Sequence, residues 1–246
     1  MDFSIILYIF FGVLPSLVWL FYYLKKDDHP EANSSILKIF FWGAVITIPV
    51  FFVQIGLSVV LEKFNLSPLL ASLLYWFLVI SFSEEVFKYL VIRFKVINSP
   101  DLDEPIDIMI YMVIAALGFT AIENILYIFT PTSQFSFSDL VSRTLVLSFI
   151  RFIGATFLHT LCSAVVGYFL AMSLCKLKNR IIYIVGGLFI AVVLHGLYDF
   201  SIITLEGNLK IIVPVTILII LAVLTSLGFE KLKKLKSICK LNPYGK

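Results

Sequence analysis

Long apolar runs separated by short polar segments dominate the chain: Phe3 to Leu24, Ile36 to Leu61, Leu69 to Ile92, Ile106 to Phe129, Ile150 to Leu174, Ile181 to Leu205 and Ile211 to Phe229. Each has the roughly 20 residues that a helix needs to cross a hydrocarbon core about 30 Å thick. None shows the two-residue alternation of a membrane barrel strand, and in lipid a spanning helix pairs its own backbone groups. The pattern predicts an all-α fold: a polytopic transmembrane helical bundle of about seven spans. The first run follows Asp2, with no Lys or Arg before it and no small-x-small site after a short apolar stretch. It is expected to stay as an anchor rather than be cleaved as a signal peptide.

Composition agrees with a membrane solvent. Of 246 residues, 60% are hydrophobic and 14% charged, with a mean hydropathy of +1.02, too little polar surface for a water-soluble domain of this size. Lys and Arg then set the orientation, because cytoplasmic loops carry the positive excess. With the N-terminus outside and the C-terminus cytoplasmic, fourteen of them fall on the inner side and only Lys63 and Lys210 in outer loops. The net charge of +3 comes largely from Lys231 to Lys246, so it points to a membrane surface and not to nucleic acid. In that tail Leu232, Leu235 and Cys239 recur at helical spacing among lysines, a pattern suited to an anionic leaflet or to a stop-transfer flank. Cys162, Cys175 and Cys239 have no paired spacing and predict no disulfide framework. The expected organisation is a bundle over residues 1–229, its chemistry within 81–201, and a basic cytoplasmic tail over 230–246, placed as a multi-pass protein in the cell membrane.

Four successive spans carry ionisable side chains, each costing at least about 2.5 to 3.5 kcal/mol at bilayer depth, so each asks for a partner or a function. The third span reads Ser81-Phe-Ser-Glu84-Glu85-Val-Phe-Lys88. Glu84 and Lys88 lie one turn apart, which predicts an ion pair and leaves Glu85 without a local cation. The fourth places Glu123 and Asn124 deep in an apolar helix. Glu123 is either protonated and bonded to Thr120 or Tyr127, or ionised against a metal or a His from a neighbour. In the fifth, the i+4 row Arg151, Ala155, His159, Ser163, Gly167, Ala171 is small or polar throughout and should face the bundle. The sixth repeats this with Gly187, Ala191, His195 and Asp199, so Asp199 can orient His195. His29 falls in a solvated loop. Arg143 and Arg151 are expected to snorkel, with Arg151 also able to neutralise Asp199 or a substrate carboxylate. Gln54 and Pro49 read as packing or kink positions, and the acidic Asp101 to Asp107 loop, with Pro105, as a helix start.

Taken in order, Glu84-Glu85-x-x-Lys88, Gly118-Phe119-x-x-x-Glu123-Asn124, His159-x-x-x-Ser163 with Gly167, and His195-Gly-Leu-Tyr-Asp199 resemble the PrsW intramembrane peptidases. That family is related to the CAAX prenyl endopeptidases and bacteriocin self-protection proteins. Lys three residues after the Glu pair, and Glu123 where the CAAX group commonly has His, both favour PrsW. The motifs cover most of Ser81 to Ser201 and leave spans one, two and seven without a motif. The resemblance implies a protease acting on a membrane-anchored protein, for example an anti-sigma factor-like regulator.

Peptide hydrolysis within a membrane needs a wet pocket, a base and donors for the oxyanion. Glu84 and Glu85 are candidate bases, with Lys88 holding the pair. Glu123, His159 and His195, if convergent, form the three-ligand open site of a catalytic Zn2+. Asn124 would help bind the carbonyl oxygen and Asp199 would fix His195. A metal-free alternative has Glu84 or Glu85 activating water and both histidines stabilising the oxyanion. The same buried polar cluster could serve an ion or proton transporter, which predicts repeats and broken helices not visible in the sequence, or an inactive scaffold. Glu84 lies nearer the inner end of its span and Glu123 nearer the outer end of its own, a gap of about 13 Å along the helix axes that tilt must absorb.

Overall fold

The computed structural model describes residues 3–26, 29–99, 102–129 and 137–235, and among them the chain is helical with no strand. Seven helical segments are long and apolar enough to span a membrane: Ile5–Leu24, Asn33–Glu62, Pro68–Lys95, Pro105–Ile128, Ser138–Cys175, Leu177–Thr204 and Leu209–Lys233. The chain is thus an all-α, multi-pass membrane protein.

Three of the seven spans are interrupted. The first is α1 (Phe3–Leu24); the second divides into α2 (Asn33–Val45) and α3 (Thr47–Glu62), bent at Ile46 just before Pro49. The third runs as α4 (Pro68–Leu74), a π-helix (Tyr75–Phe82) and α5 (Ser83–Lys95). The fourth is α6 (Pro105–Ile128). The fifth, expected as one helix from Ile150, is α7 (Phe137–Ile153) followed by α8 (Ala155–Cys175), broken at Gly154, whose φ of −102° and ψ of −97° are not helical. α9 (Arg180–Thr204) and α10 (Leu209–Lys233) complete the bundle. The expectation of unbroken helices is therefore corrected: side-chain hydrogen bonds and close neighbours open these turns, and apolar periodicity does not report either.

The central element is α6, whose apolar window is 94% buried, whereas no other span exceeds 39%. α1, α2 and α8 pack around it, with α9 and α10 against α8. The α2–α6 approach depends on absent side chains: a Cβ on Gly43 would meet the carbonyl of Ala115, and one on Gly118 the carbonyl of Phe40. Apolar side chains give helices no preference for one another over lipid, so such close backbone packing is what holds a bundle together. The start of α6 follows from local sequence, with Pro105 in its first turn and Asp107 Oδ2 accepting from the Glu104 backbone N–H at 2.7 Å. His29 reaches the same corner, its Nδ1 2.9 Å from Glu104 Oε1.

Cys162 is buried and free, but Cys175 is disulfide-bonded, which corrects the reading of the cysteines as unpaired. Asp101 and the tail from residue 236 onward lie outside the described residues.

Candidate active site

The π-helix delivers the Glu pair to the middle of the bundle. Its widened turns are held by side chains: Ser81 Oγ donates to the Val192 carbonyl of α9 at 2.6 Å, and Ser83 Oγ to the Val79 carbonyl at 2.6 Å. Gly196 on α9 lets this segment approach, since a Cβ there would stand 2.9 Å from the Phe77 ring. As α5 begins, adjacent Glu84 and Glu85 are both buried, at 4% and 0% exposure, and they turn to different neighbours.

Glu85 faces α8 and α9. Its Oε1 accepts from Lys88 Nζ at 2.6 Å and lies 2.9 Å from His195 Nδ1. The sequence predicted that Lys88 pairs with Glu84. It pairs with Glu85 instead, at i+3; both i+3 and i+4 lie within reach of Lys88 on α5, and the neighbours on α8 and α9 draw Lys88 and Glu85 together while Gln54 draws Glu84 towards α3. Lys88 Nζ also donates to His159 Nδ1 at 2.9 Å. Lys88 is wholly buried, so its charge is matched by Glu85 and not by water.

Glu84 faces the other way, towards α3. Its Oε1 accepts from Gln54 Nε2 at 3.1 Å. Its Oε2 is buried with no hydrogen-bond partner, 3.7 Å from His159 Nδ1 and 4.0 Å from His195 Nε2. The two imidazoles meet edge to face, 4.7 Å between centroids. One ligand atom from each of Glu84, His159 and His195 lies within 4.8 Å of the others, which makes this trio the metal-capable group among the described residues. The trio contains Glu84, whereas the sequence reading placed Glu123 with the histidines.

Glu123 adjoins the same centre from the other side. Its Oε2 is 3.1 Å from His159 Nε2 and accepts from Arg151 Nη2 at 2.9 Å. Because Lys88 can only donate, His159 accepts at Nδ1 and donates from Nε2 to Glu123; a cation beside Glu84 Oε2 would take the Nδ1 lone pair in place of Lys88, which keeps its bond to Glu85. Glu84 and Glu123 thus flank one imidazole, so the expected axial gap between them is closed by the mutual placement of α5, α6 and α8. Arg151, expected to snorkel, turns inward: the break at Gly154 frees α7 from the line of α8, and the guanidinium lies over the Tyr127 ring at 4.1 Å. Its Nε donates to Asn124 Oδ1. Asn124 is fully buried, with Nδ2 donating to the Gly12 carbonyl at 3.2 Å and to Thr156 Oγ1 at 3.1 Å. Both amide hydrogens are therefore committed away from any substrate carbonyl, contrary to the role the sequence suggested. Asp199 Oδ2 lies 3.2 Å from His195 Nε2, its only ion-pair partner among the described residues.

A cavity of about 450 Å³ opens onto this cluster, lined by Glu84, Glu123, Arg151, His159 and Asp199 together with Gln54. Its upper walls include Tyr75, Trp76, Tyr127 and Ile203, near the ends of their spans that join at 63–67, 129–136 and 205–208. Glu85, Lys88 and His195 form the layer beneath. The sequence reading of Gln54 as a packing or kink position missed this contact with Glu84, although a carboxamide at bilayer depth is itself a signal that a buried partner is needed.

Buried carboxylates and two imidazoles at an open cavity inside a helical membrane bundle define a membrane-embedded hydrolase with a metal-capable centre. The chain belongs to the PrsW family of intramembrane metalloproteases, whose sequence profile matches residues 31–227. The match takes in the second span and most of the seventh, where no motif had been recognised. Among similar proteins, Protease PrsW of Bacillus subtilis is 28% identical over 229 residues, 92% of this chain and 94% of that protein. Protease PrsW of Geobacillus kaustophilus is 28% identical over 196 residues, 79% of each chain. Protease PrsW of Clostridioides difficile is 28% identical over 91% of this chain and 89% of its own. No solved structure gives a significant match.

Proposed function

We propose that this chain hydrolyses a peptide bond of a membrane-anchored protein in the cavity above Glu84, with Glu84, His159 and His195 holding a divalent metal ion. One observation carries the metal assignment: the unpartnered, buried Oε2 of Glu84 faces both imidazoles at the floor of an open cavity. A buried polar atom without a partner is costly, so a cation there is a physical completion of the site. Charge supports it as well. Four carboxylates (Glu84, Glu85, Glu123, Asp199) meet two fixed cations, Lys88 and Arg151; with all four carboxylates ionised and both imidazoles neutral the cluster has an excess of two negative charges, the charge of one divalent ion. Two imidazoles and a carboxylate suit Zn2+.

When bound, such an ion supplies Lewis acidity to a water and to a carbonyl oxygen. The remaining chemistry belongs to the chain. Asp199 lines the cavity and has no Lys or Arg partner among the described residues, so it is placed to take the proton from the attacking water and return it to the leaving amine. Arg151 uses two of its five donors on Glu123 and Asn124, and those left over can meet the developing oxyanion. Glu85 holds His195 from below and neutralises Lys88, Glu123 orients His159, and Gln54 fixes Glu84; these are positioning roles. Asn124 holds Arg151.

The charge asymmetry of the loops supports a cavity mouth on the outer side of the cell membrane. The family resemblance extends the substrate to a single-anchor regulator of the anti-sigma type. The deciding experiment is cleavage of a membrane-tethered substrate by the purified chain in liposomes, with the metal content measured on the same sample. A metal-replete chain that leaves a panel of tethered substrates intact would overturn the peptidase reading. Full cleavage by a metal-free preparation would overturn the metal assignment alone.

A further inference from the structure

Tyr198 stands on α9 between His195 and Asp199 and has no part in the chemistry proposed above. Its ring is buried, with 6% of the residue exposed, and it lines the cavity above Glu84. Packing accounts for the ring but not for the hydroxyl, since a phenylalanine would fill the same space. A buried tyrosine ordinarily finds a partner for its O–H. Among the described residues the Tyr198 hydroxyl has no hydrogen-bond partner, and its oxygen is not sealed in as Glu84 Oε2 and Ser163 Oγ are. It therefore opens to the cavity.

Gly154 sets where that hydroxyl lies. A Cβ on Gly154 would stand 2.7 Å from the Tyr198 hydroxyl oxygen and 2.9 Å from the Ile150 carbonyl oxygen, so the glycine is what admits the phenol to the break between α7 and α8. The break also frees backbone donors. Gly154 N–H donates to the Ile150 carbonyl at 2.9 Å and Leu158 N–H to the Gly154 carbonyl at 2.8 Å, but the amides of Ala155, Thr156 and Phe157 between them have no such backbone acceptor among the described residues. α8 thus begins beside the phenol, with Ala155 on the cavity wall and the positive end of the helix dipole there. Arg151 reaches the same cavity from the last turn of α7. Along the helix axes Ala155 is about 6 Å from His159 and Tyr198 about 4.5 Å from His195, so both stand roughly one turn above the imidazoles. The neighbouring carboxylate of Asp199 is engaged by His195 Nε2 at 3.2 Å.

We infer that the Tyr198 hydroxyl is a catalytic donor, which hydrogen-bonds the carbonyl oxygen of the scissile peptide and stabilises the negative charge that grows there, alongside the spare donors of Arg151. The inference rests on the peptidase reading of this cavity. An O–H placed where a guanidinium and a helix N-terminus share one wall favours an acceptor that becomes an anion over one that stays neutral, which is how a donor accelerates the chemical step. The phenol keeps its proton throughout. No bond to its oxygen forms or breaks, and Asp199 stays the group that moves protons.

Tyr198→Phe removes the oxygen and keeps the ring. The purified full-length chain and this variant, both loaded with Zn2+, are compared in liposomes for cleavage of the tethered substrate panel, and in micelles for binding of a peptidyl phosphinate, whose tetrahedral phosphorus carries an anionic oxygen in place of the oxyanion. The variant is expected to lose about a hundredfold in kcat with KM little changed. It should bind the phosphinate about tenfold more weakly, with metal content and unfolding midpoint equal to those of the parent. Parent-like kcat and phosphinate affinity in the variant would overturn the assignment and leave the peptidase reading standing. So would a loss of activity that tracks an equal loss of bound metal or a lowered midpoint, because the hydroxyl would then be structural. A parent that binds the phosphinate more tightly than the variant yet cleaves none of the panel would support the donor and overturn the peptidase reading. One that neither binds nor cleaves would overturn both.

Discussion

His195 Nδ1 lies 2.9 Å from Glu85 Oε1, the same oxygen that Lys88 Nζ approaches to 2.6 Å. One carboxylate oxygen therefore fixes an imidazole and matches a buried ammonium, although Glu85 does not reach the cavity. Removing that charge strands Lys88. Glu85→Gln is expected to cost about 3 to 5 kcal/mol of stability, as does loss of one partner of a buried pair in general. The double variant Glu85→Gln, Lys88→Met should recover much of that loss and still cleave slowly. Unfolding in mixed micelles measures the cycle, and additive single effects would show that the pair is not coupled.

Glu84, His159 and His195 should fail together in metal binding. Glu84→Gln, His159→Ala and His195→Ala are each expected to lose at least 90% of the bound metal, roughly a tenfold or larger fall in affinity. Elemental analysis of purified variants gives the answer. Glu123→Gln should keep most of the metal, which separates this assignment from one in which Glu123 is the third ligand.

Gln54 is the least obvious member of the site. Its carboxamide holds Glu84 Oε1 from α3 at 3.1 Å, so Gln54→Leu should lower metal affinity and kcat by about 10- to 100-fold with KM little changed. Gln54 also donates to Ser83 Oγ at 3.3 Å; Ser83→Ala removes that contact together with the hydroxyl's bond to the Val79 carbonyl, so metal titrations of this variant report the local backbone and not the carboxamide's hold on Glu84. Equal effects of the two substitutions would place the influence in local packing.

Arg151 and Glu123 form a part-buried pair at 2.9 Å. Arg151→Met should lower kcat about a hundredfold or more through loss of oxyanion donors, while the metal remains bound. Asn124→Leu should have a smaller effect of the same kind, because it releases Arg151 without removing it. Single-turnover cleavage at saturating substrate distinguishes this from weakened substrate binding.

Gly118 and Gly43 govern the α2–α6 contact, where an added Cβ meets backbone and not a movable side chain. Gly118→Val is expected to destabilise the chain by about 3 kcal/mol or more, whereas Gly186→Ala, where nothing stands within 4 Å, should be neutral. Thermal unfolding of both compares them directly.

The number of spans, the helical class, the start of α6 at Pro105 and the inward row of His159 and Ser163 were all legible in the residues themselves. Each follows from a local or periodic constraint: apolar length, a proline with capping carboxylates, small residues at i+4. The same reasoning also singled out Glu84, Glu85, Lys88, Glu123, Asn124, His159, His195 and Asp199, because every polar group at bilayer depth must have a partner. Which partner each one takes is a different matter. The π-helix that brings the Glu pair against α9, the break at Gly154 that brings Arg151 to Glu123, and the reach of Gln54 from α3 to Glu84 depend on contacts between segments far apart in the chain or on widened turns that apolar residues do not encode. Local sequence fixes which groups must be buried together; only packing in three dimensions sets their pairing, since several acids and bases of similar energy compete for each position and geometry selects among them.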